Sequence, residues 1–448
     1  MNPALKHLLE ASALIVCLIA CSPAGQASDG SIVLNGRLNT PVMSLHGGVA
    51  YLQLTVSTPE ATIRDRRPLN LSIVLDRSGS MGDEMKIDYA KRAINTLIDQ
   101  LNSEDILSIV IYDDVVQILR ESQRVGSDKY AIKRLVERVE PRGSTNLGGG
   151  MVQGLREVER RYRSDYVNRV ILLSDGLANQ GITDPNELDR IARRYRAKCI
   201  SLTTMGVGLD YNENLMVGLS ENGGGNYYFI ENPNTMASIM NKEFHMISTL
   251  AARNASIELT FGENVVVRDI LGCDQRLQNG HYSIPVGDLY SGEQREFTVE
   301  LGIPAGSGTF TVAQGNLGYE SDHHTFDESP GFACTVRYTR DLALIDKERD
   351  IDAQAKADIA ISTRTVDKAM QALDDGKTEE AARYLHAAQG AISASPAVSA
   401  SGAGGAALRA QAAKLGSYEQ MVKDSTGDTR KAKKSIQYEN YKTQRSKE

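Results

Sequence analysis

Four apolar runs between residues 69 and 208 constrain this chain more than any other feature. "LNLSIVLD", "DILSIVIYDD", "RVILLSD" and "CISLTTMGVG" are each about one strand long and nearly continuous in apolar side chains. A strand with one wet face alternates, whereas a strand covered on both faces does not. Between these runs the period changes. Ile87, Ala90, Ile94, Leu97, Ile98 and Leu101 fall at three- and four-residue steps, which gives one apolar helix face. Further helices are predicted over 127–139 with Ser127 as cap, over 147–162, and over 233–250. Another is predicted over 185–196, with Pro185 in the first turn and Thr183 or Asp184 as cap. "VVQIL" predicts a short edge strand that hairpins back, and "GNYYFI" one more strand. This alternation predicts an α/β, doubly wound, Rossmann-like domain over residues 69–250, its parallel sheet covered on both faces.

The flanks read differently. Residues 29–68 alternate, as in "VAYLQLTVS", and so do residues 251–340, as in "ASIELTF" and "REFTVELGIP". The simplest account is one β-sandwich-like domain interrupted by the α/β domain, since chain termini of a domain tend to lie close together. Two separate all-β modules are the alternative. Residues 341–422 form a helical region containing an Ala/Gly/Ser linker, "GAISASPAVSASGAGGA". Residues 423–448 carry Arg430, Lys431, Lys433 and Lys434 close together and predict a basic disordered tail.

Residues 1–28 read as a leader. Lys6 and His7 precede an apolar run, Ala11–Cys21, which has signal-peptide length and is too short to span a bilayer. Its end, "LIAC", resembles a bacterial lipoprotein box, which implies that Cys21 is acylated. An ordinary secretory signal cut near Ala27 is the alternative. The expectation is an exported, membrane-anchored lipoprotein of the periplasm or cell surface. Cys199 sits in an apolar run and is expected to be a core thiol. An exported compartment permits a disulfide between Cys273 and Cys334. The net charge of −7 argues against a nucleic-acid partner.

Asp76 ends the first apolar run, and Ser78 and Ser80 follow at alternate positions. Asp175 ends the third run in the same way, before Gly176. Thr145 stands in the loop "PRGSTNLGGG" ahead of a helix. In an open parallel sheet, ligands bind beyond the carboxyl ends of the strands. Two carboxylates and three hydroxyls make a hard, oxygen-only set, suited to Mg²⁺ or Mn²⁺ and not to zinc or copper. Asp113 and Asp114 are assigned to an edge turn, with support of the ion's ligands as the alternative, and Asp83 and Glu84 to the positive end of the next helix. "GDEMK" is otherwise given no role. No GxxxxGK[ST] loop or HExxH occurs, and the histidines fall outside these loops. Arg77 is the only nearby base in sequence, so the chain is not expected to be an enzyme.

"DRSGS", "GST" and "SDG", in this order on this α/β pattern, resemble the three motifs of the von Willebrand factor type A domain. The resemblance implies a metal-ion-dependent adhesion site formed by Asp76, Ser78, Ser80, Thr145 and Asp175. It further implies Mg²⁺ (or Mn²⁺ or Ca²⁺), held directly by the serines and often through water by the carboxylates. Thr145 would ligate directly or through water. The partner implied is a protein that supplies an Asp or Glu carboxylate, in adhesion or complex assembly. The flanks look like a bacterial envelope branch of the family. A Mg²⁺-dependent hydrolase or phosphotransfer enzyme, and a scaffold with a purely structural metal, are the alternatives.

Overall fold

The computed structural model describes residues 31–60, 66–271, 276–278, 281–320, 326–425 and 428–445. The leader with Cys21, and Cys273, lie outside the described residues. Three strands come first: β1 (Val33–Leu38), β2 (Val42–Ser44) and β3 (Gly48–Ser57). The alternating unit follows: β4 (Leu69–Asp76), α1 (Lys86–Gln100), β5 (Ile106–Tyr112), β6 (Val116–Arg124), α2 (Lys129–Glu137), α3 (Leu147–Arg160), β7 (Val167–Ser174), α4 (Pro185–Arg196), β8 (Ser201–Val207), α5 (Glu213–Gly223), β9 (Gly224–Ile230) and α6 (Met236–Ser248). Then come β10 (Leu250–Phe261), β11 (Val266–Leu271), β12 (Arg276–Gln278), β13 (His281–Tyr290), β14 (Gln294–Ile303), β15 (Thr309–Glu320), β16 (Phe326–Glu328) and β17 (Phe332–Thr339). Five helices close the chain: α7 (Leu342–Lys347), α8 (Ile351–Asp374), α9 (Thr378–Ser393), α10 (Ala403–Asp424) and α11 (Arg430–Gln444).

The alternating unit is a six-stranded sheet in the order β6-β5-β4-β7-β8-β9. All its pairs are parallel except β5 with β6. Every residue of β4, β5, β7 and β8 is buried, as near-continuous apolar strands require. Side chains of α1, α2 and α6 cover one face, and those of α3, α4 and α5 the other. The chain leaves β4 for β5 on one side and later returns to lay β7 on the other. The strand order therefore reverses between β4 and β7, and a crevice opens there at the carboxyl ends.

Two local readings change, and one helix is added. Asp128, not Ser127, caps α2, because its carboxylate accepts the Ala131 N–H at 2.9 Å. Helix α5, which the sequence reading did not include, buries Leu215, Met216 and Leu219 against the sheet, and Asn212 caps it by accepting the Leu215 N–H at 3.0 Å. Cys199 is not a core thiol. It sits half-buried in a left-handed turn (φ 59°) before β8, with the Asn254 amide 3.0 Å from its sulfur.

The flanking strands form two sheets, β1-β3-β14-β11 and β12-β13-β10-β15-β17-β2, with β16 beside β15. Strand β3 pairs along its full length with β14, from Gly48 opposite Ile303 to Ser57 opposite Gln294. Residues before the α/β unit are thus hydrogen-bonded to residues after it. Leu52, Leu54 and Val56 share one core with Ile257, Leu259, Val312, Leu317 and Val336. Cys334 is buried, and its thiol donates to the Gly36 carbonyl at 3.3 Å.

Helices α8, α9 and α10 pack through Val366, Leu373, Leu385, Leu408 and Leu415. The expected disordered tail is in fact α11. Ile436 joins that helical core, and Tyr441 enters the α/β core beside Tyr227 and Phe229. Lys433 and Lys434 are buried against Glu213, which removes the charge cost that otherwise keeps such a segment in water. Among the described residues no helix is long and apolar enough to cross a membrane.

Candidate metal centre

Three loops meet at the crevice between β4 and β7, stitched by main-chain bonds. The Arg77 N–H donates to the Tyr112 carbonyl, Gly79 to Gly143, Arg142 to Arg77, and Asn146 to Asp113. Asp113 is buried and ties the loops further. One oxygen accepts the Val115 N–H at 2.7 Å; the other meets Arg77 Nε at 2.9 Å and Arg142 Nε at 2.7 Å. Asp113 thus serves the edge turn through Val115 and also ties the loop that carries Ser78 and Ser80 to the loop before Thr145.

Asp76 is fully buried at the end of β4. Its Oδ1 accepts the Ser78 N–H at 2.8 Å and its Oδ2 the Ser174 hydroxyl at 2.7 Å. Burial pushes its carboxyl up to about 6, against those hydrogen bonds, and the neighbouring Asp175 charge adds to the rise. Ser78 Oγ lies 3.2 Å from Ser80 Oγ, which in turn donates to Asp175 Oδ1 at 2.8 Å. Thr145 is buried, and its N–H donates to Asn179 Oδ1 at 3.0 Å. Its hydroxyl packs so close to Gly176 that an added Cβ there would stand 2.9 Å from Thr145 Oγ1. Residue 176 therefore has to be glycine for the Thr loop to reach Asp175.

Asp76, Ser78, Ser80 and Asp175 form one hydrogen-bonded chain, and Thr145 lies beside its Asp175 end. Among the described residues no three His, Cys, Asp or Glu side chains gather as a metal cage; this set relies on hydroxyls. Cis oxygens around Mg²⁺ at about 2.1 Å stand about 3 Å apart. The spacings of Ser78, Ser80 and Asp175 match that edge, so the donor set fits a small hard cation.

Two residues here escaped the sequence reading. Ser174 precedes Asp175 and orients Asp76. Lys86, the first residue of α1, puts Nζ 2.9 Å from Asp175 Oδ2 with its side chain only 6% exposed. The signal for Lys86 was its position, since a cation in the first helical turn opposes the helix dipole and needs another partner.

Residues 70–242 match the family described as the von Willebrand factor type A domain. The chain is 27% identical over 238 residues to the protein YfbK of Escherichia coli (strain K12), covering 52% of this chain and 41% of that one. It spans less than two thirds of the curated relatives it matches first. Two solved structures resemble nearly all of it. One, described as a von Willebrand factor type A from Catenulispora acidiphila, has a TM-score of 0.69 at 15% identity and covers 94% of this chain and 98% of its own. The other, the ArnB paralog VWA2 from Sulfolobus acidocaldarius, has a TM-score of 0.59 at 18% identity, with 93% and 98% covered.

Proposed function

The chain carries a von Willebrand factor type A domain, flanked by β-rich segments and C-terminal helices, and from that premise we propose that it binds a protein partner through a bridging divalent cation. Asp76, Ser78, Ser80, Thr145 and Asp175 would hold Mg²⁺, or Mn²⁺ or Ca²⁺, and the partner would supply an Asp or Glu carboxylate. The ion would supply an electrophilic point that accepts that carboxylate. The observation that carries this reading is the oxygen chain from Ser78 through Ser80 to Asp175, spaced as neighbouring ligands of a small cation. Hydroxyl donors neutralise such an ion poorly, which favours an outside anion.

The chain's own residues prepare the contact. Ser174 and the Ser78 N–H fix the Asp76 carboxylate, and the Asn179 amide fixes the Thr145 main chain. The neighbouring cations are already engaged, Arg77 with Asp113 and Lys86 with Asp175. The act is non-covalent. Type A domains typically mediate contacts between proteins, and the leader with Cys21 would place this one in the bacterial envelope, anchored by lipid.

A pull-down from envelope extract tests the reading. Partner recovery with the wild-type protein should require Mg²⁺, vanish in EDTA, and be absent with Asp76→Ala. Recovery that persists in EDTA would sink the bridging role.

A further inference from the structure

Among the described residues, Lys86 is the one buried cation that pairs with a proposed ligand, and its placement is costly in three ways. Its ammonium is withdrawn from water. It starts α1, where the helix dipole repels a positive charge. The two residues before it, Glu84 and Met85, hold left-handed backbone (φ 51° and 58°), a region that non-glycine residues adopt at a cost. Gly208 completes the channel for the lysine stem, since a Cβ there would stand 3.2 Å from Lys86 Cε. These features share one result: Nζ rests on Asp175 Oδ2.

Asp175 is thereby divided. Oδ1 faces Ser80 and the donor set, and Oδ2 belongs to Lys86. The lysine need not leave for a cation to be held. We propose that Lys86 is a resident counter-charge that sets what the centre accepts: it weakens the grip on the divalent cation and leaves the loaded centre with one net positive charge, which a single partner carboxylate cancels. The proposal rests on the metal-bridging reading above and deepens it.

The arithmetic uses only buried groups. Asp76 and Asp175 contribute two negative charges, Lys86 one positive, and the ion two positive. Arg77 and Asp113 neutralise each other, and the second partner of Asp113, Arg142, lies exposed to water and is left out of the count. Without Lys86 the loaded centre would be neutral, with a tighter ion and less pull on an anion. With it, the centre trades metal affinity for selectivity toward an acidic side chain.

The test compares the wild-type protein with Lys86→Met and Lys86→Gln, using MnCl₂ as the metal probe and acetate as the carboxylate probe. Calorimetry should show Mn²⁺ bound at least tenfold more tightly by both variants. Acetate titrated into the Mn²⁺-loaded proteins should bind the variants at least threefold more weakly. Without metal the variants should melt below the wild type, because Asp175 has lost its cation, and Mn²⁺ should raise their melting temperature by more than it raises the wild type's. A variant that folds only with Mn²⁺ present supports the same role. Equal Mn²⁺ affinity in all three proteins overturns the proposal and leaves the centre standing. Equal acetate affinity overturns the selectivity. A wild-type protein that binds no Mn²⁺ removes the centre and the proposal together.

Discussion

The Ser174 hydroxyl on β7 donates to Asp76 Oδ2 on β4 at 2.7 Å, across the seam where the strand order of the sheet reverses. With the Ser78 N–H on the other oxygen, this bond leaves the Asp76 carboxylate no freedom to turn. Partners that orient a ligand in this way are worth about 10–100-fold in metal affinity. Ser174→Ala should therefore weaken Mg²⁺ binding at least tenfold by calorimetry while the far-ultraviolet circular dichroism stays unchanged. Unaltered affinity would show that β4 alone orients Asp76.

A second buried charge joins the α/β unit to the sandwich. Arg169 and Glu243 are fully buried at 3.5 Å, Thr203 and Tyr228 donate to Glu243 at 2.6 and 2.9 Å, and Arg169 donates to the Tyr290 hydroxyl of β13. Removing one member of a buried pair strands the other, at a cost of about 3–5 kcal/mol. Glu243→Gln should show that loss in urea unfolding. Glu159→Gln, which breaks the exposed pair with Lys198, should cost less than about 1 kcal/mol. Equal losses would mean that burial of the Arg169 network carries no energetic weight.

The strands of the sheet were readable because apolarity and strand ends are local properties. Asp76, Thr145 and Asp175 could be placed at one sheet edge from their position after or before such elements. The contacts of Lys86 with Asp175 and of Ser174 with Asp76 could not be read, because which side chain meets which across 89 and 98 residues follows from packing. Helix α11 escaped for another reason. Lys433, Ile436, Asn440 and Tyr441 recur at helical spacing, but lysine and asparagine stand where a buried stripe is normally apolar. Partners found in the fold, Glu213 and Asp374 for Lys433 and Asp367 and the Thr363 carbonyl for Asn440, make those side chains fit inside.

Tyr441 should therefore be what anchors α11. It is 3% exposed, its hydroxyl accepts the Tyr227 N–H at 3.1 Å, and its ring meets the Tyr227 ring edge-on at 5.7 Å. Truncating a buried aromatic ring costs about 3–5 kcal/mol. In Tyr441→Ala, trypsin should cut at Arg430, Lys431, Lys433 or Lys434 at least tenfold faster than in the wild type. Tyr130→Ala, at a ring that is 72% exposed, should change nothing. Equal cutting rates in Tyr441→Ala and wild type would place the anchor elsewhere.

Docking of α11 should also fail in acid, through Glu213. Burial by itself raises this carboxyl, but hydrogen bonds from Lys433 and Lys434 outweigh it and hold the group below its ordinary 4.5. Other carboxyls also face α11: Lys433 meets Asp374, Arg430 pairs with Asp210, Lys431 with Glu231 and Arg445 with Glu221, and Asp367, pushed by burial up to about 6, accepts from Asn440 and Gln444, while Lys434 donates to the Tyr211 carbonyl at 2.7 Å. A carboxyl lowered in the folded state contributes stability that is fully present above its unfolded value and lost as pH falls through the folded one. Protection of the α11 amides, corrected for intrinsic exchange, should fall as the pH drops from about 5 to about 3. Glu213→Gln should have low protection already at pH 6 and a smaller drop in acid than the wild type, because residue 213 then carries no charge to lose while the outer pairs of α11 remain. Level protection in the wild type down to pH 3 would mean that Tyr438 and Tyr441 hold the helix without the ion pairs.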